Sequence, residues 1–194
     1  MSTALEIQAE LERRGALLEG HFKLSSGRHS NRFIQKFRIL EDPKIVEPVA
    51  RAIADAFRAE RPTVVVSAAV GGIVLGYETA RALGVKAIFV EKEDGIATLR
   101  RNFSLGAADR ALIVEDVVTT GASVREVIGV VRDAGAVPIG VGAIVRRGDA
   151  DFGVRTHVLL DMPIRSWLAD ECPQCRAGEP IADPGSRRAR ATPA

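Results

Sequence analysis

Apolar residues along this chain follow two periods, and the change between them divides it. Over residues 3 to 14, Leu5, Ile7 and Leu11 stand among Glu, Gln and Arg, which predicts a short amphipathic helix stopped by Gly15. Residues 20 to 40 (GHFKLSSGRHSNRFIQKFRIL) partly alternate apolar and polar positions around a Ser-Ser-Gly turn, the pattern of a hairpin or two short strands. Asp42-Pro43 then supplies an N-cap and a first-turn proline for a helix running to about Glu60. Beyond it, short β-rich apolar runs alternate with helical segments. TVVVSA, KAIFVE, RALIVE, VPIGVGAIV and THVLLD read as buried strands; GGIVLGYETARALG and SVREVIGVVRDAG read as helices closed by Gly84 and Gly135. This order predicts an α/β fold with a parallel central sheet of about five strands flanked by helices, and a mixed N-terminal third.

One stretch does not fit a purely structural account. After the strand ALIV, ending at Glu115, come Glu115-Asp116, then Val117, Val118, Thr119, Thr120, Gly121, Ala122 and Ser123, with a helix starting near Ala122 or Ser123. Ligands of open α/β sheets bind beyond the carboxyl ends of strands. A helix start there offers unpaired N–H groups and partial positive charge, which suit a phosphate. Thr119, Thr120 and Ser123 add hydroxyl donors, and Gly121 leaves the backbone approachable. A carboxylate would repel a phosphate, so the acids need another partner: sugar hydroxyls, or Mg²⁺ held through water. An acid pair alone reads as a solvated turn; the full run reads as a cradle for a phosphorylated sugar. Neither a Walker loop nor a dinucleotide-binding glycine motif is present.

Composition narrows the class. The 194 residues suit one domain over 1–181, with a Pro/Gly/Arg/Ala-rich tail from Ala182 expected to be disordered. A net charge of +2 is too balanced for a dedicated nucleic-acid binder. The most apolar run, TVVVSAAVGGIVLG, has about half the length of a membrane span and is broken by Ser67, Gly71 and Gly72. The charged N-terminus has no signal-peptide core, so a cytoplasmic location is expected, with no membrane partner. Cys172 and Cys175 have zinc-ligand spacing but supply only two ligands. His157 is distant in sequence, and His21 and His29 beside the Ser-Ser-Gly turn read as surface residues. The cysteines therefore read first as two reduced thiols in a turn, with a structural zinc, its site shared across a dimer, as the alternative.

LIVEDVVTTGAS, residues 112 to 123, resembles the phosphoribosyl-pyrophosphate motif of type I phosphoribosyltransferases. GHFKLSSGRHSNRFI, SAAVGGIVLG, FVEKEDGIATLRRNF and CPQCRAGEPI resemble segments of the short-lid orotate phosphoribosyltransferases, so that the likeness covers roughly residues 15 to 186. The resemblance implies a small hood built largely from residues 1–40. It also implies transfer of a phosphoribosyl group from phosphoribosyl pyrophosphate to orotate with Mg²⁺, in a homodimer.

On this resemblance Glu115 and Asp116 hold the ribose hydroxyls. Thr119 to Ser123 wrap the 5′-phosphate, with Thr119 also near orotate. Arg147 meets the orotate carboxylate, Phe33 and Ile34 lie against the pyrimidine, and Ala69, Val70, Gly71 and Gly72 touch pyrophosphate. The match has gaps. Ser25 stands where many members have lysine, Val70-Gly71 replaces an aromatic-lysine pair, the lid EKEDGIATLRR is short, and position 146 is Arg. The cation at the leaving group is therefore sought among Lys92, Arg100 and Arg101, with Lys92 best matched by position. Two alternatives share the motif at 115: a purine phosphoribosyltransferase, which lacks the FKLSSGRHS segment, and a non-catalytic phosphoribosyl-pyrophosphate sensor, which would add a DNA-binding domain or a basic face.

Overall fold

The computed structural model describes residues 4–24 and 26–184; Ser25 and the chain beyond 184 lie outside the described residues. Helix α1 (Ala4–Arg13) leads through Gly15 into two antiparallel strands, β1 (Leu17–Lys23) and β2 (His29–Ile34), which form a separate two-stranded sheet. A single turn of helix, α2 (Phe37–Leu40), follows, and then α3 (Pro43–Phe57). Asp42 caps α3 by accepting a hydrogen bond from the Lys44 N–H at 3.0 Å, with Pro43 in the first turn. A short 3₁₀ turn takes the chain to Glu60, where the sequence had placed the helix end.

The main sheet contains β3 (Val64–Ala68), β4 (Lys86–Glu93), β5 (Ile96–Leu99), β6 (Arg110–Val118), β7 (Val137–Arg146) and β8 (Thr156–Asp161), in the order β5-β4-β3-β6-β7-β8. Five of these strands are parallel, as the apolar runs predicted. The sixth, β5, is an antiparallel edge strand that the sequence reading left within the lid. Its cause is local. Asp94 and Gly95 both take positive φ, 51° and 84°, which makes a two-residue hairpin turn between Glu93 and Ile96.

Helix α4 (Gly71–Leu83) connects β3 to β4, and α5 (Ala122–Asp133) connects β6 to β7. Right-handed crossovers running in opposite directions along a sheet place their helices on opposite faces. Accordingly, Val46, Ile53 and Phe57 of α3 and Leu75 of α4 pack in one apolar cluster, whereas Val124, Val127 and Val131 of α5 pack in the other. The chain passes from β3 outward to β4, then returns to β6 on the other side of β3. The carboxyl ends of β3 and β6 therefore flank the point where the strand order reverses.

The hood differs from expectation in one respect. It is not closed by the N-terminal segment alone. His29 and Trp167 exchange backbone hydrogen bonds of 2.8 and 2.9 Å, and Ala182 bonds to both His21 and Lys23 at 2.8 Å. Ala182, predicted to open the tail, is thus bridged to β1. His21 and His29 are buried rather than on the surface, because this C-terminal segment, which includes α6 (Pro173–Arg176), covers them.

Candidate active site

Strand β6 extends further than the sequence indicated. It pairs with β3 only as far as Val114 but with β7 as far as Val118, so Glu115 and Asp116 lie within the strand and not at its end. On the β3 side the chain has already turned away through Ala69 to Gly72. The acids therefore line an open notch between a strand and the start of α4. The notch is tight. A methyl group at Gly71 would stand 2.1 Å from Asp116 Oδ2 and 2.5 Å from Lys36 Nζ, so any side chain there would displace the Asp116–Lys36 pair. The Ala69–Val70 peptide is cis, and Val70 is largely exposed.

The two acids have different states. Asp116 is almost wholly buried, and the Lys36 ammonium lies 2.8 Å from its Oδ2 and 3.1 Å from its Oδ1. Only the Oδ1 contact has hydrogen-bond geometry; Oδ2 is held by charge alone and keeps its capacity to accept a further hydrogen bond. Oδ1 also accepts from the Val117 N–H at 2.6 Å. Glu115 forms no ion pair among the described residues, and the Lys36 charge offsets its burial only in small part. Burial, and after it the neighbouring Asp116 charge, push its pKa up to about 8. At neutral pH the pair therefore carries about one negative charge.

This has a consequence for stability. An acid whose folded pKa lies above its unfolded value holds its proton more tightly when folded. Its contribution is fully present below about 4.5 and is lost as pH rises towards about 8. Glu115→Gln is expected to flatten that decline, as read by urea midpoints at about pH 5 and about pH 9. Parallel declines in the two proteins would mean that Glu115 ionises as freely folded as unfolded.

The hydroxyl-rich turn closes over the end of β6. Thr119, Thr120, Ala122 and Ser123 are exposed, and the helix α5 begins at Ala122, as expected. Gly121 caps it at φ 77°, and a Cβ there would meet Phe152 ring atoms at 2.7 and 2.9 Å. The N–H groups of the first helical turn, of which that of Ala122 reaches Thr120 Oγ1 at 3.4 Å, and the exposed hydroxyls of Thr119, Thr120 and Ser123 form a donor set suited to an anion. Arg125 holds this loop from behind: its guanidinium donates to the Thr120 carbonyl at 2.7 Å and lies 5.4 Å from the centre of the Phe152 ring.

The remaining candidates fall around the same end of the sheet. Arg147 follows β7; its N–H bonds to the Val118 carbonyl at 2.9 Å, which ties it to the end of β6. Its Nε is buried with no hydrogen-bond partner among the described residues, and burial lowers its pKa from the ordinary value. A buried guanidinium nitrogen without an acceptor is costly, so an anionic ligand would satisfy it. Lys92 on β4 pairs with Glu126 at 2.9 Å, one turn along α5 from Ser123, which brings the lid strand to the side of the cradle. Arg100 pairs with Glu93 at 3.3 Å and Arg101 with Glu91 at 3.1 Å, both within the hairpin. Such exposed pairs are weak and exchange readily for a more highly charged anion. Phe33 is half-buried on β2, 5.8 Å from the Phe22 ring, whereas Ile34 is buried in the core and presents no face to a ligand.

Two residues with roles here were not legible in the sequence: Lys36 and Arg125. Lys36 lies 80 positions from Asp116 and follows no motif. Arg125 looks like any exposed helical arginine. A cavity of about 370 Å³ between α1 and α3 lies elsewhere and is lined by Glu6, Glu10 and apolar side chains, an acidic mouth that suits no phosphate.

An acid pair beside a glycine loop at the switch point, followed by a hydroxyl-lined helix start, defines a phosphoribosyl-binding α/β protein. The phosphoribosyl transferase domain family matches residues 37–159. The chain is 47% identical to the orotate phosphoribosyltransferase of Pelotomaculum thermopropionicum, over 94% of this chain and 97% of that protein. It is 49% identical to that of Heliobacterium modesticaldum, over 89% and 92%. Among solved structures, the orotate phosphoribosyltransferase of Aeropyrum pernix superposes with a TM-score of 0.67 at 28% identity, covering 80% of this chain and 92% of that one. The chain belongs to the orotate phosphoribosyltransferase family.

Proposed function

We propose that this chain transfers the 5-phosphoribosyl group of phosphoribosyl pyrophosphate to orotate, giving orotidine 5′-monophosphate and pyrophosphate in pyrimidine synthesis. The observation that carries this reading is the hydroxyl-lined start of α5 directly after the buried acids, in a chain with near full-length likeness to enzymes of that name. In this reading the loop from Thr119 to Ser123 grips the 5′-phosphate. Asp116 and Glu115 face the ribose hydroxyls, and the Asp116 carboxylate favours the cationic ribose that develops as pyrophosphate leaves. Gly71 and its neighbours present backbone N–H groups to the leaving group. Lys92 and Arg100, released from their carboxylate partners, add positive charge there.

Orotate takes its place between Phe33 and Arg147, whose fork fits a carboxylate. The ring nitrogen attacks the glycosidic carbon as the bond to pyrophosphate breaks, its proton passes to the departing pyrophosphate, and the pair is held in line by binding alone. No side chain needs to act as a nucleophile.

Magnesium fits this donor set as a guest of the substrate. The one charged acid, Asp116, is already paired with Lys36, so the protein offers no carboxylate cage. Pyrophosphate oxygens would carry the ion, with Asp116 reaching it through water. When bound, Mg²⁺ neutralises charge on the leaving group. A homodimer in the cytoplasm accords with the family. Among the described residues no helix is long and apolar enough to cross a membrane.

Loss of orotate absorbance in the presence of phosphoribosyl pyrophosphate and Mg²⁺ tests the reading, with adenine and hypoxanthine as controls. Turnover of a purine but not orotate would transfer the chain to the purine enzymes, and no turnover of any base would favour a sensor. Within the orotate reading, Arg147→Ala is expected to raise the KM for orotate more than the KM for phosphoribosyl pyrophosphate. Equal changes in both would remove Arg147 from the orotate site.

A further inference from the structure

Behind the hood, away from the acids, four metal-binding side chains meet. His21 on β1, His29 on β2, and Cys172 and Cys175 at α6 present ligand atoms that all lie within 4.8 Å of one another. Three of the four residues are buried, and both cysteines are free thiols. His21 Nε2 is 3.1 Å from His29 Nδ1 and 3.5 Å from each sulfur, and His29 Nδ1 is 3.1 Å from Cys175 Sγ. With zinc–sulfur and zinc–nitrogen bonds of ordinary length, a tetrahedral site has edges of about 3.4 Å between nitrogens, about 3.5 Å from nitrogen to sulfur and about 3.8 Å between sulfurs. The four distances given above lie within about 0.4 Å of these edges, and the other two are no longer than 4.8 Å.

The hydrogen bonding leaves a lone pair free for the ion. The Nδ1 of His21 is 3.0 Å from the Glu179 carbonyl, which only accepts, so this nitrogen carries the hydrogen. In the neutral ring Nε2 then turns a bare lone pair into the cluster. It faces His29 Nδ1 at 3.1 Å, a pair that either a hydrogen on His29 Nδ1 or a cation between the two nitrogens can join. The carbonyl behind the ring is also the usual outer partner of a metal-ligating histidine.

We propose that His21, His29, Cys172 and Cys175 bind one zinc ion that staples the two strands of the hood to the C-terminal segment. Two nitrogens and two sulfurs in a tetrahedron select zinc among the common divalent ions. Both thiols lose their protons on binding, and the two thiolates balance the charge of the ion. All four positions are filled by protein, so the site is structural and leaves no position for substrate or activated water. It works alongside the backbone bridges from His29 to Trp167 and from Lys23 to Ala182, which alone are short and peripheral. It shares no residue with the phosphoribosyl site, so the two readings stand or fall separately.

The test is metal analysis of the full chain, purified without chelator or metal-affinity resin. About one zinc per chain is expected, with a fall in Tm when a strong chelator removes it. Cobalt replacement should give the visible bands of a tetrahedral thiolate site. Because Cys172 is buried and its loss can disturb the hood, Cys175→Ser, at the exposed corner, is the test variant; it is expected to bind zinc at least about tenfold more weakly with the helix content unchanged. Folded wild-type protein holding less than about 0.1 zinc per chain after dialysis against zinc would overturn the proposal. So would undiminished affinity in Cys175→Ser, or recovery of the two cysteines as a disulfide from freshly isolated protein.

Discussion

Asp116→Asn is expected to lower kcat/KM at least about tenfold, and up to about a thousandfold, while leaving the fold intact. The substitution keeps the size of the side chain and the oxygen that accepts from the Val117 N–H, so the local backbone has no reason to move. What it removes is the charge. Glu115 is held protonated near neutral pH by burial, which makes Asp116 the principal negative charge in the notch. The asparagine leaves the Lys36 ammonium facing the sugar without its counterion, and so places net positive charge where the transition state is itself cationic. Because the side chain of Lys36 is 36% exposed, water can solvate the freed ammonium, and Tm should fall only slightly. Steady-state rates, together with circular dichroism and a melting curve, decide the matter. Wild-type kcat/KM in this variant would take Asp116 out of the chemistry. Lys36→Gln makes a useful partner: two groups in direct contact should give non-additive losses in the double variant.

The second large effect is expected at Gly121. Gly121→Ala places a Cβ on a backbone with φ of 77° and within 3.0 Å of Ala150 and closer still to the Phe152 ring. The left-handed conformation costs about 1–2 kcal/mol for a residue with a side chain. Pressing an extra methyl against a packed ring costs roughly 1–3 kcal/mol more. For a domain of this size the two terms lower Tm by roughly 5–15 °C. The loop can relieve the clash only by moving away from Phe152, which also breaks the Arg125 clamp on the Thr120 carbonyl. Each hydrogen bond to a charged phosphate is worth about 1.5–3 kcal/mol, so misplacing one or two donors should raise the KM for phosphoribosyl pyrophosphate about tenfold or more. The KM for orotate should change much less. A variant that melts normally and keeps its affinity for phosphoribosyl pyrophosphate would show that this loop does not grip the phosphate.

Much of this is legible in the order of residues along the chain. The five parallel strands, the helices between them and the caps at Asp42, Gly84 and Gly135 follow from apolar period and turn chemistry, which act between neighbours in the chain. The site was partly readable for the same reason: its acids, hydroxyls and glycine are consecutive. Errors arose where partners in space decide. Strand β6 reaches Val118 because β7 continues to pair with it after β3 has left, and no property of residues 115 to 118 reveals which neighbour persists. Ile34 resembles a position that faces a ligand but is buried, since at the end of β2 it packs into the apolar cluster with Leu11 and Ile39.

The sequence by itself determined the alternation of strand and helix, the family, and the succession of acids, hydroxyls and glycine before α5, because each is written in residues adjacent along the chain. Tertiary structure alone decided which cation answers Asp116 and what becomes of the two cysteines. Lys36 meets its acid across 80 positions, and Cys172 meets His21 across 151. Convergence over such distances depends on how the hood packs against the sheet and on the return of the C-terminal segment to cover it. Those contacts are set by the shapes of buried surfaces, and no local pattern encodes them.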